Sequence, residues 1–550
     1  MKENIYDIAV IGSGAGAGPI IYELCNSGKK VVLLEKGEHY KREDFSKDEI
    51  AYVRRNVITP SLKDEFHTIV SEDEEYTTTQ ADWSFWNGSI VGGASNFMSG
   101  FFHRLHPDDF KLKSKFGEIK DANIEDWPIS YDEFEPYYTK VDEIVGVSGE
   151  FRAHIYEPPR SKKNFPYPPT TEHPITKLID KSAKKVGMNA LGTPRAIISK
   201  DTKYRNKCYY SNYCGNYGCS SGAKGSSREA LINPALKTNN LTLITNAFVI
   251  KLNEKNKKVV SATYIDKKTN KKKTIKAKIF VVAGQAIESC RLLLNSSSKN
   301  FPNGLANNNN QVGKNLLFSA GGAINGTFDE NSKIPLKDLL VEGYFVNRVI
   351  KDFYFLDDHK TKGGVMDLLF EHANPIRKAN MLKWDNNSKL VWGEEFYKKL
   401  YNKFNKEKTL TIEIFNDWLP NDNCNVTIDK TRVDKYGINV AKVAIGSHPT
   451  NEKIGDRLAY KAIELLKQMG AKNINGEITK FPPVNLQAGG CRFGDDPKTS
   501  VLNKYCKSHE VDNLFVTDGS FMPTGGSVPY TYTIYANSFR VANYIKSLNI

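Results

Sequence analysis

The chain has 550 residues, too many for one ordinary hydrophobic core, and its 40% hydrophobic and 25% charged residues are typical of a globular protein. Its formal net charge is +14, but basic and acidic residues mostly alternate, so the charge does not predict a nucleic-acid partner. No apolar run reaches the length of a membrane helix, which excludes a predicted transmembrane segment.

We expect no secretion signal at the N-terminus, because the residues after Met1 are polar and lead directly into a first strand. We therefore expect a cytoplasmic protein, or one that reaches the periplasmic face of a membrane with an exported partner. The densest basic run, residues 267–273, lies between strand-like segments and is interpreted as a solvated hairpin turn. Docking on an acidic partner or an anionic membrane surface is the alternative.

The first predicted unit is a strand, a turn, a helix and a second strand. The strand Tyr6–Ile11 is apolar, the turn at residues 12–18 contains four glycines, the helix covers Pro19–Ser27, and Lys30–Leu34 is the second strand. This order is typical of a dinucleotide-binding unit. FAD and NAD both fit such a unit.

Four residues of this unit are candidate cofactor contacts. Gly12 permits the tight turn, Gly14 lets the backbone approach a pyrophosphate, and Ala17 is small enough for helix–strand packing. Glu35 follows the second strand, where a carboxylate accepts hydrogen bonds from a ribose. The amides at the helix start favour phosphate binding.

Later segments resemble, in chain order, those of the glucose–methanol–choline (GMC) family of flavin oxidoreductases. They are Trp86–Asn96, Trp127–Tyr138, Leu241–Val249, Ile279–Gly284 and Asn513–Pro523. The resemblance implies FAD as the cofactor. It also implies cofactor contacts in these segments: Gly93, Ser95, Asn96, Val249, Gly284, Asp518 and Gly519.

The fold that the resemblance implies is α/β, with a Rossmann-like FAD-binding domain interleaved with a substrate domain on a mostly antiparallel sheet with helices. We expect FAD-binding parts at residues 1–120, 201–318 and 483–550, and substrate parts at residues 121–200 and 319–482. Strand-like stretches at Thr409–Ile414 and Val440–Ile445 are assigned to the substrate sheet.

In the family, flavin takes a hydride from the alcohol carbon and a histidine takes the hydroxyl proton. Here the histidine position holds Leu486, and the Asn-Pro pair that usually carries the second catalytic group is absent. The nearest polar candidates are Asn485 and Tyr530, with Gln487, Tyr532, His103 and His106 as others.

Three functions stay open at this point. The first is FAD-dependent oxidation of a sugar, polyol or other alcohol, with electrons passed to an acceptor. The second is a flavin-binding electron-transfer or assembly subunit without alcohol chemistry, and the third is an altered reaction on the same frame. An electron-acceptor protein or a small escort subunit is the expected partner.

Three cysteines, Cys208, Cys214 and Cys219, lie close together in the sequence. They resemble the cysteines with which some bacterial flavin sugar dehydrogenases hold a 3Fe–4S cluster, and thiolates are the usual ligands of such clusters. The resemblance therefore implies a 3Fe–4S cluster on this trio. Unligated thiols, or one disulfide with a free cysteine, are the alternatives.

Overall fold

The computed structural model describes residues 5–53, 63–72, 74–81, 85, 87–385, 387–478 and 486–549. The strands are β1 (Ile5–Ile11), β2 (Val31–Leu34), β3 (Thr68–Ser71), β4 (Glu74–Thr77), β5 (Ala190–Gly192), β6 (Leu241–Ile244), β7 (Ala247–Lys255), β8 (Lys258–Asp266), β9 (Lys271–Val282), β10 (Leu316–Leu317), β11 (Ala320–Asp329), β12 (Arg348–Ile350), β13 (Phe355–Leu356), β14 (Thr361–Lys362), β15 (Gly364–Phe370), β16 (Glu407–Asn416), β17 (Asn425–Val433), β18 (Asn439–Ile445), β19 (Lys472–Ile478), β20 (Ala488–Gly489) and β21 (Leu514–Val516).

The helices are α1 (Gly18–Asn26), α2 (Glu49–Tyr52), α3 (Leu112–Phe116), α4 (Tyr131–Val141), α5 (Ile175–Lys185), α6 (Asn233–Leu236), α7 (Ala286–Leu294), α8 (Leu336–Leu339), α9 (Pro375–Met381), α10 (Gly393–Asn405), α11 (Pro449–Met469) and α12 (Thr531–Ser547). In the described ranges, no helix combines the length and apolarity that crossing a bilayer requires.

The nucleotide sheet contains strands from both ends of the chain. Its parallel part has the order β6-β2-β1-β9-β21, and β8 and β7 extend it as an antiparallel meander beyond β9. The four residues of β2 are all buried, as expected for a parallel strand that is covered on both faces. The parallel strands therefore place the C-terminal end of β1 beside those of β2, β9 and β21, where a dinucleotide site is expected.

The roof sheet is a second, wholly antiparallel sheet with the order β19-β11-β16-β15-β12-β5. Alternate residues of β16 point to opposite faces. Leu410, Ile412 and Ile414 pack in a core that α11 and α5 cover, whereas Phe415 packs in the core of the nucleotide domain. The α/β fold class is confirmed, including the antiparallel substrate sheet.

Two segments that the sequence assigned to the substrate domain pack elsewhere. Helix α4 and its flanks, from Trp127 to Val147, lie in the same core as the nucleotide sheet, because α4 packs against α12. Strand β18, which contains Val440–Ile445, pairs with β17 and in parallel with β3 in a separate four-stranded sheet beside α7. The sequence of neither segment indicates its distant partner, and the domain bounds stay a prediction.

One local prediction agrees with the structure in its main part. Residues 267–270 form the turn between the antiparallel strands β8 and β9, as the hairpin interpretation requires, whereas residues 271–273 of the predicted turn already belong to β9. All eight cysteines of the chain are free thiols in the structure.

Candidate active site

A cavity of about 530 Å³ lies between the nucleotide sheet and the roof sheet. Glu35, Lys36 and Phe248 line one end, at the edge of the parallel strands. The other end is lined by Glu413 of the roof and by Tyr530 at the start of α12. Residues of both sheets thus line one cavity, which suits a cofactor with two distinct ends.

The two ends of the chain meet on the floor of this cavity. The Gly16 carbonyl accepts hydrogen bonds from Thr517 Oγ1 and from Ser538 Oγ, both at 2.7 Å. A Cβ atom on Gly16 would lie 2.6 Å from the backbone of Asp518, a distance that real Cβ contacts do not reach. Glycine at position 16 therefore lets the first turn pack directly on the last strand.

Glu35 occupies the end of β2 with its carboxylate already held. Ser13 Oγ donates to one carboxylate oxygen, and the Gly37 amide donates to the other at 2.8 Å. Burial raises the pKa of Glu35, although these donors oppose the shift. The donors fix the direction of the carboxylate toward the cavity.

Asp518 lies two residues after the end of β21 and accepts four hydrogen bonds. They come from the Ser289 hydroxyl, the Gln285 amide, and the amide and hydroxyl of Ser520. Burial raises the pKa of Asp518 against these donors. Asp518 thus joins the C-terminal strand to the start of α7.

Gln285 was not predicted and has a strained backbone. Its φ of 85° and ψ of 150° lie in a region that is nearly restricted to glycine. The side chain caps α7 by accepting from the amides of Ile287 and Glu288, and its Nε2 donates to Gln487 Oε1 at 2.7 Å. Such strain costs about 1–3 kcal/mol and is common at binding sites.

A short 3₁₀ turn, Gly93–Phe97, forms the wall beside the first glycines. Gly93 has a φ of +54°, and a Cβ there would lie 3.2 Å from Gly14 Cα. Asn96 Nδ2 donates to the carbonyls of Val91 and Gly93, so Asn96 holds the turn from behind. Ser95 Oγ donates to the Gly92 carbonyl and accepts from the Ser227 amide.

Most of the residues proposed as cofactor contacts line this cavity. They are Gly12, Gly14, Glu35, Gly93, Ser95, Val249, Gly284, Asp518 and Gly519. Ala17 and Asn96 lie behind the wall instead. Ala17 is fully buried at the start of α1, and Asn96 supports the 3₁₀ turn.

The two catalytic candidates fare differently. Asn485 lies outside the described residues. Tyr530 lines the cavity, but its hydroxyl donates to the Phe318 carbonyl, and burial raises its pKa well above the usual range. A phenol in this state is not a base, so the geometry favours a packing role for Tyr530. The Tyr532 hydroxyl likewise donates to Asp142.

Leu486, at the usual histidine position, also lines the cavity and has a φ of +64°. Non-glycine residues adopt this left-handed conformation in only a few per cent of cases. Position 486 therefore has an unusual backbone conformation, although its leucine side chain cannot take up a proton.

Two carboxylates of the roof were missed. Glu413 of β16 lines the cavity, and Asp367 of β15 lies directly opposite it in the antiparallel register. Asp367 accepts hydrogen bonds from His103 Nε2 at 2.9 Å and from Thr193 Oγ1 at 3.1 Å. His103 thus acts behind the cavity, and His106 caps a turn at Pro107. In the sequence, Glu413 could have been noticed as the single acid within the apolar strand Thr409–Ile414.

A second cavity of about 90 Å³ adjoins the first, because Ser99 and His372 line both. Cys208, Cys214 and Cys219 all line this smaller cavity. The loop that carries them bends through left-handed residues at Tyr210, Asn212 and Asn216, with φ of 57°, 65° and 70°. The loop therefore brings three thiols to one space beside the larger cavity.

Basic side chains surround the three thiols. Lys47, Arg195 and Lys224 line the same small cavity. Burial raises the pKa of Cys208 to about 12. Burial also opposes the ionisation of Cys219, but the Lys224 ammonium outweighs it together with hydrogen bonds to the sulfur, so the pKa of Cys219 is lowered.

Across the part of the chain that the structure describes, no three His, Cys, Asp or Glu side chains are arranged to hold a single metal ion. A cluster makes a different geometric demand, because each cysteine binds a different iron. The result for a single metal ion therefore does not test a cluster on these three cysteines.

Comparison with known proteins places the chain in a family. The GMC oxidoreductase N-terminal profile matches residues 66–319, and the C-terminal profile matches residues 420–538. The 2-methyl-1,2-propanediol dehydrogenase of Mycolicibacterium austroafricanum is 29% identical, over 98% of this chain and 95% of that protein. The fructose dehydrogenase large subunit of Gluconobacter japonicus is 25% identical, over 98% and 97% respectively.

The fold agrees with solved structures. Pyridoxine 4-oxidase from Mesorbium loti superposes with a TM-score of 0.62 over 100% of both chains, at 14% sequence identity. At that identity the similarity speaks for the fold alone. With both profiles matched, the chain belongs to the GMC oxidoreductase family of FAD-dependent oxidoreductases.

Proposed function

We propose that this protein oxidises the CH–OH group of a sugar, polyol or other small alcohol and passes the electrons to a separate acceptor. One observation carries the proposal: a single cavity joins the N-terminal glycines, the Asp518 segment and the roof of the antiparallel sheet. The names of the two relatives, a diol dehydrogenase and a fructose dehydrogenase subunit, agree with this substrate class.

In this proposal the floor of the cavity holds the nucleotide. The turn Gly12–Gly16 and the start of α1 receive the pyrophosphate, since helix N-termini favour anions. The Glu35 carboxylate, already oriented by Ser13 and Gly37, accepts from the ribose. Val249 lies beside Phe248 at the same end and contacts the adenine.

The other end of the cavity receives the flavin ring and the substrate. The turn at Gly93–Phe97 flanks the ring, and Asp518 and Gly519 approach it from the floor. Bound FAD supplies the hydride acceptor. The protein's residues hold the alcohol between this ring and the roof sheet, and they exclude water from it.

Anaerobic mixing of the FAD-loaded protein with a panel of sugars, polyols and simple alcohols tests the proposal. We expect at least one alcohol to bleach the flavin absorption, and an artificial acceptor to restore it. Mixing with dithionite is the control for a reducible flavin. A flavin that dithionite reduces but no alcohol bleaches would contradict alcohol oxidation and favour an electron-transfer or assembly subunit.

We propose further that Cys208, Cys214 and Cys219 hold a 3Fe–4S cluster that receives electrons from the flavin. The convergence of three thiols on a space that shares Ser99 and His372 with the larger cavity supports this. Lys224, Arg195 and Lys47 offset the negative charge of thiolates there. A cluster at this position offers a path from the flavin to an external acceptor.

Iron and acid-labile sulfide analysis of anaerobically purified protein tests the cluster. We expect three irons and four sulfides per chain, and their loss in Cys214→Ser with FAD content unchanged. Cys25→Ser is the matched control, because Cys25 is buried in α1 away from the small cavity. Iron-free protein that is active with an acceptor would contradict the cluster.

An acceptor or escort subunit is the partner that we propose. The name of the Gluconobacter japonicus relative, a large subunit, supports this expectation. Native-mass measurement of the protein purified from its own cells tests it, with a second polypeptide as the expected result.

A further inference from the structure

The flavin end of the cavity lacks the family's histidine, and the roof above it carries an acid. Leu486 cannot accept a proton, yet it lines the same cavity as Glu413. Glu413 points to the cavity because β16 alternates: Leu410, Ile412 and Ile414 pack on the opposite face, under α11. The strand therefore presents a carboxylate where a proton acceptor is needed.

Within the described ranges the Glu413 carboxylate makes no hydrogen bond or ion pair, and Asp367 is the one charged group that influences it. Its titratable neighbour on β15 is Asp367, and its neighbour on β11 is Ala323, which is uncharged. His372 also lines the cavity, and burial lowers its pKa to about 4, so it is neutral near pH 7. A buried carboxylate with no counter-charge among the described residues is costly to keep, and strongly perturbed carboxylates in cavities are common at functional sites.

The surroundings set the proton affinity of Glu413. Burial raises its pKa to about 7, and the nearby Asp367 adds to the shift. A general base works best when its pKa lies near the operating pH, because it is then both available and basic enough. Asp367 is itself held by His103 and Thr193, so its position is fixed.

We propose that Glu413, with Asp367 as its positioning residue, accepts the hydroxyl proton of the alcohol during oxidation. This inference rests on the proposed function. The C–H bond of the carbinol breaks and its electron pair passes with the hydrogen to bound FAD. The O–H bond breaks, its proton passes to Glu413, and the C=O bond of the product forms. The alcohol is oxidised, FAD is reduced by two electrons, and the carboxylate becomes a carboxylic acid.

Rapid anaerobic mixing of holoenzyme with a substrate from the panel gives the first test. We expect Glu413→Gln to slow flavin reduction at saturating substrate by about 10²–10⁴-fold, the usual contribution of a general base. The wild-type rate should rise through an ionisation near pH 7, and this ionisation should vanish in the variant. Glu477→Gln is the matched control, because Glu477 is an exposed acid of the same sheet, on β19.

The second test does not use activity. A carboxyl whose folded pKa is raised makes the folded state lose stability as pH rises from the ordinary value of about 4.5 to about 7. We therefore expect Glu413→Gln to raise the Tm of the holoenzyme relative to wild type more at pH 8 than at pH 5. Asp367→Asn removes the neighbouring charge, so it should move the pH midpoint of flavin reduction to lower pH.

The failures can be told apart. A wild-type flavin that no alcohol reduces would overturn the proposed function, whatever the variants do. If an alcohol reduces the wild type and Glu413→Gln keeps both the rate and the pH midpoint, the inference is overturned. It is overturned as well if the variant raises only KM, and only for amine-bearing alcohols, since Glu413 would then anchor an ammonium group. If Glu413→Gln fails to fold, an unmoved midpoint in folded Asp367→Asn overturns it.

Discussion

The floor and the roof of the cavity are built by different means. The floor presents backbone: glycines at positions 12, 14 and 16, with the Gly16 carbonyl held by Thr517 and Ser538. The roof presents the side chain of Glu413, with Asp367 as its neighbour on the next strand. A cofactor that every member of a family binds needs close backbone approach, whereas the reacting group of a substrate needs a titratable atom. The floor can therefore be kept while the roof changes.

The largest effect should come from closing the floor. Gly16→Val would place a Cβ atom 2.6 Å from the backbone of Asp518 and force the two chain ends apart. We expect overpacking of about 3 kcal/mol or more and loss of bound flavin. The ratio of flavin to protein absorption and the Tm check both. A yellow, fully stable Gly16→Val protein would contradict the direct packing of the two ends.

The roof should respond next, through His103. The His103 ring and the Asp367 carboxylate are both fully buried and hydrogen bonded to each other. His103→Leu leaves the carboxylate with one donor fewer, which should cost about 3 kcal/mol of unfolding free energy. Chemical denaturation of the holoenzyme measures it. A change in the free energy of unfolding below about 0.5 kcal/mol would mean that the contact between His103 and Asp367 does not stabilise the roof sheet.

A pH-dependent effect should follow at the edge of the roof, at Asp417. Burial raises its pKa to about 7, with Lys362 opposing and Asp109 adding to the shift. The folded state then holds a proton that the unfolded chain releases above the ordinary value of 3.8, so stability falls as pH rises from about 4 to 7. Asp417→Asn should therefore raise the Tm at pH 8 and change it little at pH 4. Equal Tm differences at both pH values would exclude this ionisation.

The smallest effect separates binding from folding on the floor. Among the described residues, a Cβ on Gly14 meets no atom within 4 Å, so Gly14→Ala should leave the Tm of the apoprotein unchanged. The methyl group would stand where the pyrophosphate approaches, and we expect roughly tenfold weaker FAD binding, about 1.4 kcal/mol. Titration of apoprotein with FAD measures it. Unaltered affinity would move the pyrophosphate away from this turn.

More of the floor of the cavity than of its roof was predicted from the sequence, for a physical reason. The glycine turn, Glu35 and Asp518 lie in local patterns whose strand and helix can be read along the chain, and the structure places all of them on one cavity. The strand Thr409–Ile414 was also predicted. Which of its faces covers the cavity depends on pairing with β15 and packing under α11, and no local pattern contains that information.

The four-stranded sheet that contains β3 and β18 shows the same limit of prediction from sequence. Strand β18 pairs in parallel with β3, and the two are separated by most of the chain. Each strand is recognisable from its β-branched residues, but their pairing is a tertiary choice. Likewise, Leu486 shows in the sequence that the family's histidine is missing. The acid that we propose in its place, Glu413, could be recognised only from the structure.

A structure of the FAD-bound protein, with flavin placed from density, tests the central claim most directly. The account predicts adenine beside Glu35 and Val249, pyrophosphate on the turn at Gly12–Gly16, and the flavin ring beneath Glu413. A flavin ring at the Glu35 end, or one separated from the Glu413 carboxylate by protein, would contradict it.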